Sequence, residues 1–226
     1  MKRRRFIAAS IAASTLAAAG EAVGQVSSPS TAAPEASAGP RREYYQLRRY
    51  NLVSGPQLKV TESYFSGALI PALARMGLGP VGAFKLDIGP ETPAHYLLIP
   101  GTSIEALAEL DLRLAEDAEF LKAAGAFWNA TSVTPAFQRA EISLLAAFAG
   151  WPKLTPPAAA ATKAKRIFQL RTYESPSDGE HIRKVEMFHS GEFEMFLNAG
   201  FHPVFLAIRS SAHACPTLLT CSALEI

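Results

Sequence analysis

Cysteine is scarce. Cys215 and Cys221 are the whole supply, so at most one disulfide can form, and it would need an oxidising compartment. The five histidines are scattered without metal-ligand spacing, and neither a metal site nor a cofactor is predicted. There is no glycine-rich phosphate loop and no Gly-x-Ser-x-Gly elbow. Excess charge is missing too: 22 Lys and Arg against 20 Asp and Glu leave a net charge of +2, which argues against nucleic acid as the main partner. The apolar run near the N-terminus is too short for most membrane-spanning helices, so no stable span is expected once that segment is removed.

What is present is a globular composition. The chain has 226 residues and is 49% hydrophobic, enough to bury a real core. Lys2-Arg3-Arg4-Arg5, then Phe6-Ile7 and an alanine-rich stretch to Ala19, have the layout of an export signal of the twin-arginine type. Residues 1–24 are read as that signal and residues 25–41 as a tether rich in Ser, Ala, Pro and Gly. The expected address is periplasmic or extracellular.

The chain carries one pattern twice. Gln46-Leu47-Arg48-Arg49-Tyr50 recurs as Gln169-Leu170-Arg171-Thr172-Tyr173, and Gly77-Leu78-Gly79-Pro80-Val81 as Gly200-Phe201-His202-Pro203-Val204. Arg48 to Gly77 and Arg171 to Gly200 are both 29 residues, as a repeated strand-helix-strand frame requires. In the first copy, residues 42–51 alternate as a strand. A helix follows from Gly55-Pro56 to about Met76, kinked at Pro71 and stopped at Gly77. Residues 80–87 and 95–99 read as a hairpin pair. Thr102 and Glu105 form a capping box, a second helical stretch spans residues 117–128, and a last strand centres on residues 138–144. Strand, helix, strand, strand, helix, strand is the ferredoxin-like α+β order. The first unit is thus residues 42–149, a Pro- and Ala-rich linker residues 150–164, and a partial second unit residues 165–205.

These residues resemble the NIPSNAP family. The resemblance rests on the paired Gln-Leu-Arg-x-Tyr strands, Leu69-Ile70-Pro71, Gly77-x-x-Pro80-Val81, the stretch from Asp117 through Trp128-Asn129, and Ser143 to Phe148. It covers roughly residues 42–205. It implies tandem ferredoxin-like units paired into a dimeric-α/β-barrel-type fold, and it implies no agreed reaction or cofactor. Structural neighbours of that fold include small monooxygenases, haem-handling enzymes and isomerases, an analogy at the level of fold.

After Phe205 the repeat fails. Residues 206–226 read as an aberrant tail with no hairpin, third strand or second helix, so the second unit is expected to be truncated and its apolar helix face uncovered. Codons can be chosen for this tail so that the adjacent frame reads GDSLVGPRMPNLTYMLSFGD, in which VGPRMP matches Ile88 to Pro93. A frameshift accounts for that match, and a divergent tail is the alternative.

Strand alternation supplies the candidate pocket. If Tyr45, Leu47, Phe168 and Leu170 face the helices, then Gln46, Arg48, Tyr50, Gln169, Arg171 and Tyr173 face the barrel interior. There they would either hold an anionic or aromatic ligand or satisfy one another in a polar network. His189, four residues after Val185 and four before Phe193, is either a general base or haem ligand, or a packed core histidine. His181 is expected to be solvated, His202 to lie in a turn, and His95 to start the third strand with no matching ligand. Asp111, Glu116, Asp117 and Glu119 read as a solvated acidic face. Three functional readings remain open: an exported binding or interaction module, which a homo-oligomer would suit; a small α/β-barrel enzyme, monooxygenase-like or isomerase-like, acting on a hydrophobic or aromatic molecule; and an inactive truncated product.

Overall fold

The computed structural model describes residues 41–53, 55–162, 165–210 and 216–225. The export segment and the tether up to residue 40 lie outside them, as does Cys215 and with it the disulfide that the two cysteines could form. Cys221 is buried as a free thiol.

The first unit follows the expected order. β1 (Tyr44–Asn51) leads into α1 (Gly55–Tyr64), which runs through a π-helical segment (Phe65–Leu69) into α2 (Ile70–Arg75). Pro71 sits at the first turn of α2, where a missing N–H costs nothing, and the wider π turn just before it takes the place of the expected kink. Gly77 ends the helix at φ 72°, with Leu78 N–H donating to Leu73 O (2.9 Å) and Gly77 N–H to Ala74 O (3.0 Å). Gly200 ends the matching helix of the second copy at φ 82°, with the equivalent bonds from Phe201 to Phe196 and from Gly200 to Leu197, both 3.0 Å.

β2 (Gly82–Lys85) and β3 (Ala94–Gly101) form the hairpin. α3 (Ile104–Ala108) is capped by Ser103, whose Oγ accepts from Ala106 N–H, one residue later than the expected Thr102 cap. α4 (Leu110–Ala115), α5 (Ala118–Trp128) and β4 (Arg139–Ala147) complete the unit. Asp117 caps α5 through Phe120 N–H at 2.9 Å and also pairs with Arg75. Asp111 pairs with Arg48, and Glu119 with Arg75. Asp111, Glu116 and Glu119 are exposed, as a solvated face requires, and Asp111, Asp117 and Glu119 serve in addition as ion-pair partners, Asp117 also as a cap. The linker holds a short α6 (Ala158–Thr162).

The second copy contains β5 (Arg166–Glu174), α7 (Asp178–Met187), a π-helical segment (Phe188–Glu192), α8 (Phe193–Asn198), β6 (His202–Arg209) and β7 (Thr217–Glu225). The expected loss of the third strand is corrected here. Leu206 to Arg209 complete β6, and the tail supplies β7, which pairs along its length with β5 and also with β6. The physical reason is alternation: Leu219, Cys221 and Ala223 point inward into one core. Among the described residues, no helix or fourth strand follows β7.

The seven strands form one antiparallel sheet, in the order β2-β3-β1-β4-β6-β7-β5. The first three strands of each copy occupy equivalent places. The two copies join where β4 meets β6, from Leu145 opposite Arg209 to Ala147 opposite Ala207. Thr155 N–H donates to Val204 O (2.8 Å) just beyond. The sheet curls until its free edges, β2 and β5, approach each other through the rings of Phe84 and Phe168.

Three cores result. One lies between the first half of the sheet and α1 to α5, with Tyr50, Tyr64, Phe65, Leu69, Leu97 and Phe120 among its members. One fills the barrel, with Tyr45, Leu47, Leu98, Leu145, Phe205 and Leu219. A smaller one, around Phe148, Phe188, Leu206 and Leu218, anchors α7 and α8. Each large apolar side chain so buried stabilises the fold by about 1.5–3 kcal/mol. The covering is unequal. α3 to α5 shield the outer face of the first half, whereas Ile182, Met195 and Leu197 on α7 and α8 are 54%, 70% and 48% exposed.

Candidate functional sites in and beside the barrel

The alternation of β1 is as expected, but its faces are reversed. Tyr45 and Leu47 point into the barrel, and Gln46, Arg48 and Tyr50 point at the helices. Gln46 Nε2 donates to Leu107 O at 2.7 Å, and its Oε1 accepts from Arg48 Nε at 2.6 Å. Arg48 Nη2 reaches Asp111 Oδ1 at 2.8 Å. Burial works against the Arg48 charge, yet the Tyr50 hydroxyl and Asp111 carboxylate hold its pKa above the usual value. Tyr50 packs edge-on against Phe65, Phe127 and Phe137. Every polar group in this set has a protein partner, so it forms a structural network under α3 and α4.

The second copy repeats the motif without the cover. Arg171 donates twice to Gln169 Oε1, at 3.0 and 2.7 Å, and its guanidinium lies over Phe196 and Phe201 at 4.7 and 5.2 Å. Tyr173 packs on Phe188. The two polar sets lie on the outer faces of their own halves and do not meet, contrary to the expected shared interior pocket.

His189 is also accounted for. Its Nδ1–H donates to Val185 O at 2.8 Å, its Nε2 accepts from Gly150 N–H at 3.1 Å, and its ring stacks on Phe148. Both nitrogens are engaged by backbone groups, which argues against the base or haem-ligand reading, but the ring is exposed and not in the core as the packed reading expected. His181, expected in solvent, is buried, and His202 begins β6 rather than lying in a turn.

The barrel itself offers different groups. Between β2 and β5 lies a cavity of about 300 Å³, walled mainly by Val81, Phe84, Leu98, Leu154, Phe168 and Val204. Arg166 stands beside it, its guanidinium 5.6 Å from the Phe168 ring and its Nη1 donating to Ala159 O. The far end of the barrel is polar. A cavity of about 90 Å³ there is lined by Arg49, Tyr96, Glu141, Ser143, Thr172 and Arg209 among others. Arg49 pairs with Glu91 and with Glu141, the latter at 2.6 Å. Burial opposes the Glu141 charge, but the hydrogen bond and charge of Arg49 override it and keep the carboxyl below its ordinary range. A third cavity, of about 240 Å³, lies beside β2 where α1 passes into its π segment, and His95 and Glu62 line it. Among the described residues, no group of three or more His, Cys, Asp or Glu is placed to hold a metal, and no helix is long and apolar enough to cross a membrane.

The sequence reading missed the inward row of Tyr45, Leu47, Phe84 and Phe168 as a site wall. His95, expected to start the third strand with no matching ligand, lines a cavity as well; its signal was a histidine next to the apolar run Leu97-Leu98-Ile99.

No family model matches the chain, and no curated protein matches it by sequence. Among solved structures, it is similar to a provisionally named monooxygenase from Lactobacillus acidophilus NCFM, with a TM-score of 0.51 and 8% identity over 81% of this chain and 77% of that one. It is also similar to one from Fusobacterium nucleatum subsp. nucleatum, with a TM-score of 0.50 and 8% identity over 82% and 77% of the two chains. Likeness at this identity speaks to the fold alone: tandem ferredoxin-like units curled into a dimeric-α/β-barrel-type fold of the α+β class.

Proposed function

We propose that this chain is a small α/β-barrel enzyme, monooxygenase-like, that acts on a hydrophobic or aromatic small molecule held between β2 and β5. The observation that carries this reading is the cavity itself. Its volume of about 300 Å³ falls at the lower end of the range for small-molecule sites, and its walls are mainly apolar, with Arg166 among the lining residues. Phe84 and Phe168 offer ring faces and edges to an aromatic guest, while Arg166 places a cation beside the apolar wall. The names of the two similar structures support the reaction class by analogy of fold.

Monooxygenation puts one atom of O₂ into the substrate and the other into water, and consumes two electrons and two protons. An electron-rich phenol supplies its own electrons, and NADH is a second source. The test therefore measures 1-naphthol binding by fluorescence and oxygen uptake at an electrode, with and without NADH. Binding with uptake above the protein-free rate, both lost in Ala160→Trp, supports the proposal. Absence of binding, or uptake that Ala160→Trp leaves unchanged, overturns it.

A second reading has an observation of its own. Gln46, Arg48 and Tyr50 face the helices, and the residues that wall the barrel cavity include no carboxylate, histidine or tyrosine to transfer a proton. That favours a NIPSNAP-like binding module without turnover, and binding without oxygen uptake is its signature. The repeated Gln-Leu-Arg-x-Tyr strands support the NIPSNAP-like assignment, and the arginine-rich start supports export.

A further inference from the structure

The cavity beside β2 holds an unsatisfied acceptor. His95 is 3% exposed, a hydrogen bond to the Phe84 backbone occupies its ring, and its Nε2 has no hydrogen-bond partner in the protein. Glu62 Oε1 stands 3.5 Å from that nitrogen, too far for a good hydrogen bond. With the other ring nitrogen engaged, Nε2 presents a lone pair next to a carboxylate. Glu62 is 58% exposed and open to solvent, but the buried nitrogen is not, and an unpartnered buried acceptor calls for a donor from outside.

The surroundings narrow the donor. A metal ion would find only these two ligands, since no third metal-binding group joins them among the described residues. A cationic amine would meet the positive charge of Lys85, which lines the same cavity, and an anion would meet Glu62. A neutral hydroxyl meets neither objection. Phe65, Ile70 and Phe84 supply apolar and aromatic walls around it. We propose that this cavity binds a neutral phenol, its O–H donating to His95 Nε2 and its ring lying against Phe65, Ile70 and Phe84. The site is separate from the one proposed for the barrel, although Phe84 borders both cavities.

Acid should close it. Burial holds the His95 pKa below its ordinary value, with Glu62 from α1 pulling the other way and Lys85 from β2 adding to the lowering. Once protonated, Nε2–H becomes a donor aimed at Glu62, and the phenol loses its acceptor.

The experiment compares 4-fluorophenol with 4-fluorotoluene by ¹⁹F NMR titration of the full chain. The phenol should bind about tenfold tighter, the worth of a buried hydrogen bond. The preference should vanish in His95→Phe, and on acidification it should persist through the ordinary histidine range of about pH 6.5 and weaken only below it, because burial lowers the His95 pKa. Because His95→Phe alters a buried position, Ser66→Trp serves as a second variant. Ser66 lies exposed at the rim of the cavity, and the bulkier ring should block entry without touching the core. Ala160→Trp, which fills the barrel cavity, should leave the preference for the phenol over the toluene unchanged, so this proposal and the barrel reading can fail separately. Equal affinity for the two probes, a preference that survives in a folded His95→Phe, or loss with Ala160→Trp in place of Ser66→Trp would each overturn the inference.

Discussion

Phe84 on β2 and Phe168 on β5 meet edge to face, with ring centroids 4.9 Å apart, across the two free edges of the sheet. Among the described residues the sheet has no β2–β5 pairing, and the ring pair is a contact through which these edges meet. A double-mutant cycle over Phe84→Ala and Phe168→Ala should give a coupling of about 0.5–1.5 kcal/mol, as measured by urea unfolding. Phe168→Ala should also weaken 1-naphthol binding, because it strips one aromatic wall from the cavity.

Arg48 is buried and bound to Gln46 and Asp111. Truncating it to Ala leaves the Gln46 carbonyl oxygen without its donor and Asp111 without its cation. The expected loss is about 1–3 kcal/mol, the range for leaving the buried Gln46 oxygen without a donor, since Asp111 can turn to solvent. Asp111→Ala should cost less, since Asp111 is half-exposed. Any fall in turnover should follow the fraction folded, as chemical denaturation would show. Loss of turnover in a fully folded Arg48 variant would assign it a role beyond packing.

Gly150 lies so close to His189 that an added Cβ would sit 2.8 Å from Cδ2. Gly150→Ala must therefore displace a ring that two hydrogen bonds and a stack hold in place. A destabilisation of about 1 kcal/mol is expected, the worth of a hydrogen bond lost when the exposed ring swings away. A thermal melt of the variant tests this, and pairing it with His189→Ala should relieve part of the penalty.

The pH dependence of stability follows from groups with lowered pKa. Asp117 is held down by the Phe120 N–H and Arg75, and Glu141 by Arg49. A lowered folded-state pKa means that the contribution is complete above the unfolded value and is lost as pH falls through the folded one. For these carboxylates the loss begins near about pH 4. His95, its pKa lowered by burial, follows the same sign from about pH 6.5 downward. Urea unfolding at a series of pH values should therefore show two declines on acidification, with the upper one absent in a folded His95 variant.

Cys221 is buried in the barrel core, and burial pushes its thiol pKa up to about 12. In a Cys215→Ser background, a disulfide reagent should label Cys221 slowly in the native protein and quickly in denaturant.

The helix-side asymmetry carries a further expectation. Ile182 and Met195 are exposed apolar residues on a face that has no counterpart of α5 over it among the described residues. Self-association that grows with concentration should appear in light scattering, and Ile182→Glu with Met195→Lys should reduce it.

The repeat was legible in the sequence because it rests on local chemistry. Gly77 and Gly200 stop their helices through the left-handed conformation that glycine adopts freely, and period-two alternation made β1 and β5 strands whatever they pack against. Which face of β1 looks inward was not local. Both faces carry an aromatic, Tyr45 on one and Tyr50 on the other, and only the arrival of Leu107 and Asp111 from residues some 60 positions away draws Gln46 and Arg48 to the helix side. The tail shows the same limit. Thr217 to Glu225 departs from the first copy in motif, yet its alternating apolar residues find β5 and β6 on either side and complete a sheet. Sequence alone determined the elements and their repetition, because those depend on neighbours along the chain. Only the tertiary structure decided which polar groups are spent on packing and which, like His95, are left facing a cavity, because that depends on partners the chain brings together by folding.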